Sequence, residues 1–238
     1  MSKSKAVADW KSDLVASAEK VAQNEGTDSS AITIQHGRMM YREQEVPGST
    51  MDVIVVASTT ERCYYDKPYD PDVISSPRCF AQSLETRGLV PHENVAEPIN
   101  DTCEGCGLAE FGSAKQGKGP ACKTYRKLML IHGDVPASDI PKTEMAYIKV
   151  SPTSVKNWGK YAQQLVASSG LPPWGAITKL SVVPDKKTIH QVTFSAVAPL
   201  KDEDVLSAVH ARITEAEEKL LKPYSYDEEE EDTESTAY

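Results

Sequence analysis

From Asp66 to Thr124 the chain runs almost without hydrophobic periodicity, through segments such as DKPYDPD and VPHENVAEP that are rich in Pro, Gly and Asp. A stretch this long without regular structure is uncommon inside a compact domain, because no packed face offsets the entropy lost on ordering it. Something other than a hydrophobic face must hold it in place. The same stretch carries four of the five cysteines: Cys79, Cys103, Cys106 and Cys122. An odd cysteine count behind an N-terminus with no signal-peptide pattern argues for thiols or a metal, not a disulfide framework.

Cys103 and Cys106 form a C-x2-C pair, whose turn brings two thiolates onto one ion. Gly105 and Gly107 suit such a turn, since glycine accepts positive φ. Cys122 follows Cys106 with fifteen residues between, and Cys79 precedes Cys103 with twenty-three between. Four thiolates suit tetrahedral zinc, which accepts soft ligands without imposing an electronic geometry. Only one C-x2-C pair is present, so His92 or His132 stays open as a replacement for an outer ligand. Cys63, between Arg62 and Tyr64 in a strand-like run, reads as a small buried hydrophobe and is left out. Iron–sulfur clusters use the same donor set, but nothing else in the chain points to electron transfer. A closed site of four thiolates leaves no open position for water. The expectation is structural zinc.

Regular patterns flank this excursion. Val7, Trp10, Leu14, Ala18 and Val21 recur at helical spacing and predict an amphipathic helix over 5–23. AITIQH, MDVIVVAST and ERCYYD read as strands, as do YRKLMLIHGD and EMAYIKVS beyond the excursion. A helix capped by Ser151 or Thr153 carries Val155, Trp158, Ala162, Leu165 and Val166 on one face and ends at Gly170. AITKLSVV and KTIHQVTFSAV, divided by Pro-Asp-Lys, predict a β-hairpin. A last helix over 202–221 places Val205, Leu206, Val209, Ile213, Ala216 and Leu220 on one side. This pattern predicts an α+β, mainly β protein: a five-stranded OB-like barrel with a zinc-stapled loop insertion and flanking helices. One domain over 1–225, with the insertion at about 66–124, would precede a separate tail.

That tail, 226–238, reads YDEEEEDTESTAY. Its seven acids account for most of the net charge of −9; without them 28 acids face 26 bases. Dense like charge repels itself and predicts disorder. Asp227, Glu228, Glu229, Glu230, Glu231, Asp232 and the terminal Tyr238 are therefore candidates for partner binding and for competition with an anionic ligand. No run of eighteen apolar residues predicts a membrane span, and the N-terminus reads as a cytosolic start.

Enzyme motifs are scarce. The chain has no G-x-x-x-x-G-K-[ST], no H-E-x-x-H and no G-x-S-x-G, and no catalytic constellation stands out, so the expectation is a non-enzyme. Cations and rings, by contrast, crowd the cysteines. Lys115, Lys118, Lys123, Arg126 and Lys127 surround Cys122. Phe111 and Tyr125 lie among them, and Tyr64, Tyr65 and Tyr69 lie on the approach. Lysines that track phosphates, with rings on which bases stack, are the two parts of single-strand binding.

The strings SPRCFAQ, VPHEN and DTCEGCGLAEFGSAKQGKGPACKTYRKLMLI resemble a group of phage-encoded single-stranded DNA-binding proteins. The resemblance is most specific over Ser76–Ile131. It implies an OB-type core with a zinc-stapled insertion and Cys79, Cys103, Cys106 and Cys122 as the metal ligands. It further implies a role coating single-stranded DNA during replication and recombination, in the cytoplasm of an infected host cell. In such proteins an acidic tail ending near an aromatic docks replication partners (polymerase, helicase or primase) and shields the DNA groove; Tyr238 fills the aromatic place here. A protein-interaction or transcription-accessory module, zinc-containing and with a DNA-mimicking tail, is the alternative.

Overall fold

A computed structural model of the chain describes residues 30–67, 76–115 and 117–224. The predicted helix over 5–23, Tyr69 and the acidic segment 226–238 lie outside these residues. Among the described residues nine strands form one curled, open sheet: β1 (Ala31–Gln35), β2 (Arg38–Tyr41), β3 (Gln44–Glu45), β4 (Thr50–Tyr64), β5 (Cys79–Ser83), β6 (Lys123–His132), β7 (Ala146–Val150), β8 (Ala176–Asp185) and β9 (Ile189–Pro199). Their spatial order is β3-β2-β1-β7-β6-β4-β8-β9, with β5 also on β4. The described residues also form three α-helices: α1 (Val155–Ser169), α2 (Glu203–His210) and α3 (Ile213–Leu220). The protein is α+β and mainly β.

β4 is the organising strand. Its 15 residues merge the two runs MDVIVVAST and ERCYYD that looked separate in the sequence. Apolar and β-branched side chains dominate its first ten residues without alternation, as expected of a strand buried on both faces. Val53 and Val55 pack into one core cluster, and Ile54 and Val56 into another. A bulge between Val55 and Ala57 then sends Ala57 to the same side as Val56, the local re-aiming that an extra residue produces. One edge of β4 pairs with β6 from Val53 to Cys63. The other edge is shared: β8 covers Thr50–Ile54 and β5 covers Thr60–Tyr64.

Each face has its own helical cover. On one, Trp158, Tyr161 and Leu165 of α1 meet Leu128, Leu130, Ile148, Leu180 and Val192. On the other, Val209 of α2 and Ala216 and Leu220 of α3 meet Ile54, Met129 and Ile131. Burying each such aliphatic side chain contributes roughly 1.5–3 kcal/mol. The α1 face differs from the sequence reading in one place: Tyr161 is buried, whereas Val166 is 53% exposed. The predicted helix over 202–221 is two helices. Between them Arg212 turns inward, its guanidinium bonded to the carbonyls of Ile140 and Thr143 and to Glu215, and the chain breaks to let it do so.

The sheet stays open between β7 and β9. The outer edge of β7 is taken by β1, which runs parallel to it with Ile32 opposite Ile148. The start of α1 occupies the β9 side: Ser154 Oγ accepts from Val192 N at 2.9 Å, and Asn157 Nδ2 donates to Val192 O at 2.9 Å. The hairpin β8–β9 forms as the sequence predicts, its turn closed by Asp185 Oδ2 accepting from the backbone of Lys187 and Thr188.

Candidate metal centre and nucleic-acid surface

The excursion departs from the end of β5 and rejoins the sheet at Lys123. Its first part was misread as wholly irregular, because Cys79–Ser83 pairs with β4 as a short strand. Among the described residues of 84–122 the only regular element is a 3-10 turn, Gly107–Ala109, and only Leu89 and Val95 are buried apolar side chains. The backbone is tied crosswise instead. Cys103 N donates to Leu89 O (2.9 Å), Cys122 N to Leu108 O (2.8 Å) and Ala109 N to Cys106 O (2.9 Å). Gly105 adopts φ 82° inside the C-x2-C turn, a conformation that a side chain would strain.

These ties bring together Cys79, Cys103, Cys106 and Cys122. All four line one cavity of about 20 Å³, with Arg62, Tyr64, Pro91, Ile99, Asn100, Thr102, Leu108 and Ala109 completing the wall. The space is that of one water-sized particle. Among the described residues no group of three or more His, Cys, Asp or Glu side chains is arranged to hold a metal ion as it stands, so the thiols ring the cavity without converging on a point. The donor set still fits zinc: four soft donors from three chain segments, with no carboxylate in the wall. Burial and the neighbouring thiols push Cys122 up to about 12, with Arg62 pulling against them. Cys103 is raised by burial in the same way, again opposed by Arg62.

The two histidines kept open as outer ligands stand elsewhere. His92 stacks on Phe80 with centroids 4.8 Å apart, and His132 pairs with Asp134 at the opposite end of β6. Neither lines the cavity. Cys63 is buried on the far side of β4, where its sulfur shares a 3.6 Å hydrogen bond with Tyr224.

The predicted nucleic-acid residues divide into two groups. Phe111, at 87% exposure, stands at the tip of the insertion with Lys115 and Lys118, both exposed. The turn behind them is closed by Gly112 N donating to Lys118 O at 3.0 Å. Tyr65 is exposed at the end of β4 and Lys123 is half-buried, while Tyr64 forms part of the cavity wall. Tyr125 and Lys127 belong to the interior instead. Lys127 donates to Leu220 O (2.7 Å) and lies 3.5 Å from Glu61. Tyr125 lies under the Lys149 ammonium, 4.3 Å from its ring centroid, and Arg126 is half-buried with an Nε that has no partner among the described residues.

Sequence reasoning missed this interior network. Glu61 is fully buried, ion-paired to Lys149, and accepts from Gln82 Nε2 at 3.1 Å. Burial alone would raise its pKa, but the charges of Lys149 and Lys127 and the hydrogen bonds of Lys149 and Gln82 carry it below its ordinary value. For Lys149 the pull of Cys63 and Glu61 overcomes burial and raises the pKa. Lys127 goes the other way, lowered by burial against Glu61 and with the like charge of Lys149. Lys149–Glu61 is the tight pair and Lys127 the outer member. Lys149 also donates to Tyr224 OH at 2.9 Å, pinning the end of the described chain to the same spot.

The chain matches no protein-family model, no curated protein and no solved structure. Among the described residues no helix is long and apolar enough to cross a membrane.

Proposed function

We propose that this chain is a non-enzymatic single-stranded DNA-binding protein whose insertion is held by a structural zinc ion on Cys79, Cys103, Cys106 and Cys122. One observation carries the reading: four cysteines from three chain segments wall a single cavity at the base of a loop whose tip presents Phe111, Lys115 and Lys118 to solvent. Zinc would supply a covalent-strength tie between strands and loop that the few buried side chains there do not. The strand order supports an OB-type core. β4–β6–β7 and β4–β8–β9, with α1 between β7 and β8, follow the path of a five-stranded OB barrel left open where its third and fifth strands would pair.

The exposed Tyr65, Phe111, Lys115 and Lys118, together with the half-buried Lys123, are the contact surface in this reading. Rings stack on bases while ammonium groups displace the counterions of the phosphates. Lys127 and Tyr125 act from inside as supports. The resemblance to phage single-strand binders supports a role in DNA replication and recombination, with the acidic tail as the segment that would meet replication proteins.

The test is a fluorescence titration with single-stranded DNA, single-stranded RNA and duplex over a range of salt, alongside metal analysis. Tight single-strand binding that weakens linearly with log salt is expected, with one zinc per chain. Equal affinity for duplex, or no binding at low salt, would instead favour the protein-interaction module.

A further inference from the structure

Four thiolates on one divalent ion leave two negative charges in excess, and a small, mostly apolar cavity is a costly place for them. Of the residues in the wall, Arg62 alone carries a permanent charge. It sits in the middle of the arrangement, on β4 opposite Ala81 of β5 and Thr124 of β6. β5 begins at Cys79, and β6 follows Cys122 directly. Its Nη1 donates to Cys103 O at 2.6 Å, which ties the guanidinium to the C-x2-C turn. Its Nε is buried and has no hydrogen-bond partner among the described residues. A buried N–H of a charged group without an acceptor is expensive, and a thiolate sulfur is an acceptor of the right charge.

We propose that Arg62 is the charge partner of the metal centre: it holds the C-x2-C turn by its carbonyl and offsets the excess negative charge of the four thiolates. This rests on the four-cysteine metal reading. It also gives β4 a direct link to the ion, so that metal loading and the order of the strand's final turn of sequence rise and fall together.

The experiment compares the full-length wild type with R62K and R62Q. Zinc affinity is read by competition with a chromophoric chelator, and cobalt substitution reports the ligand set. Outer-shell partners of metal ligands typically contribute 10–100-fold in affinity. R62Q is expected to fall by an amount on that order while keeping the cobalt–thiolate absorption of four sulfurs. R62K, which keeps the charge but loses the planar fork, is expected to lie between R62Q and the wild type. R62Q binding zinc as tightly as the wild type overturns the inference and leaves the metal reading standing. So does an equal loss in R62K and R62Q, which would assign Arg62 to geometry alone. A wild-type chain that retains no zinc overturns the metal reading itself. Should R62Q fail to fold, R62K against the wild type decides: unchanged affinity at higher salt and at low salt alike, with unchanged cobalt spectra, counts against a role for the guanidinium.

Discussion

The two halves of β4 are held by different physics. From Val53 to Ala57 the strand lies between two apolar clusters with helices on both faces, and its side chains are all aliphatic. From Thr59 to Tyr64 the same strand carries Glu61, Arg62 and Cys63, and its neighbours are an ion network on one side and the cysteine cavity on the other. The first half is stabilised by area removed from water, which tolerates modest changes of shape. The second relies on a few directed interactions, each of which leaves a charge or donor stranded when its partner is lost. One strand therefore joins a region that fails gradually to a region that fails at single residues.

Metal removal should separate the halves most sharply. Structural zinc contributes on the order of 10 kcal/mol of folding free energy where it is the main tie. In Cys103→Ser or Cys122→Ser chains, or after chelation, proteolysis is expected to cut within residues 84–122 while the sheet and its helices keep their cooperative unfolding. Unchanged resistance of the insertion in the presence of chelator would break the comparison, since the loop would then stand by its hydrogen bonds alone.

Glu61 tests the ionic side of the same half. Removing one partner of a buried pair typically costs about 3–5 kcal/mol, so Glu61→Ala, which leaves Lys149 uncompensated, is expected to fall in that range by urea unfolding. Glu61→Gln should cost less, because the amide keeps an acceptor. The pH dependence has a fixed sign. The Glu61 pKa is lowered by folding, so its contribution is complete above the ordinary value of 4.5 and is lost as pH falls below it toward the folded value. Wild-type stability should decline on acidification below that point, and the Glu61→Gln chain should decline less. Parallel curves would remove the network from the account.

The aliphatic half of β4 was open to reading from sequence; the ionic half was not. MDVIVVAST, the β8–β9 hairpin and the α1 face around Trp158 and Leu165 follow from hydrophobic patterning, which reports what is buried against what. The four cysteines were also visible, because few side chains do what a thiol does and their spacing is conspicuous. Arg62, Glu61 and Lys149 were invisible. A charged residue in a strand normally faces water, and their burial depends on partners 86 or more residues away in one case and 41 in another. The same blindness explains Lys127 and Tyr125, which carry the composition of a nucleic-acid contact yet are used inside. It also explains the missed strand β5: CFAQS is five residues long, and its pairing with β4 is set by the loop that returns to it.

The exposed tip should show the reverse pattern, affecting binding without affecting stability. Phe111 is nearly free of contacts with the body, so Phe111→Ala should leave the urea midpoint within about 0.5 kcal/mol of wild type. Loss of one stacking ring costs about 1–3 kcal/mol per base, and single-strand affinity should drop accordingly. Replacing Lys115 and Lys118 by Ala should weaken binding less at high salt than at low, and should flatten the slope of log affinity against log salt by roughly two contacts. A loss of stability in either variant would mean that the tip supports the insertion and does not merely project from it.

The smallest effect is expected from the acidic segment. The described chain ends at Tyr224, which Lys149, Cys63 and Phe80 hold against the ionic half of β4. In the proposed reading the seven carboxylates of 226–238 compete with phosphates for the same lysines, an effect that salt screens within about 8–10 Å. Deleting 226–238 should therefore tighten single-strand binding by roughly three- to tenfold at low salt, at most about 1.4 kcal/mol, and by almost nothing near molar salt. Tyr224→Ala, which frees the segment from that anchor without removing its charge, should weaken the competition and move affinity part of the way toward the deletion. Identical affinity in wild type and deletion at low salt would show that the carboxylates act on protein partners alone, and the two halves of β4 would then differ in stability but not in their relation to the ligand.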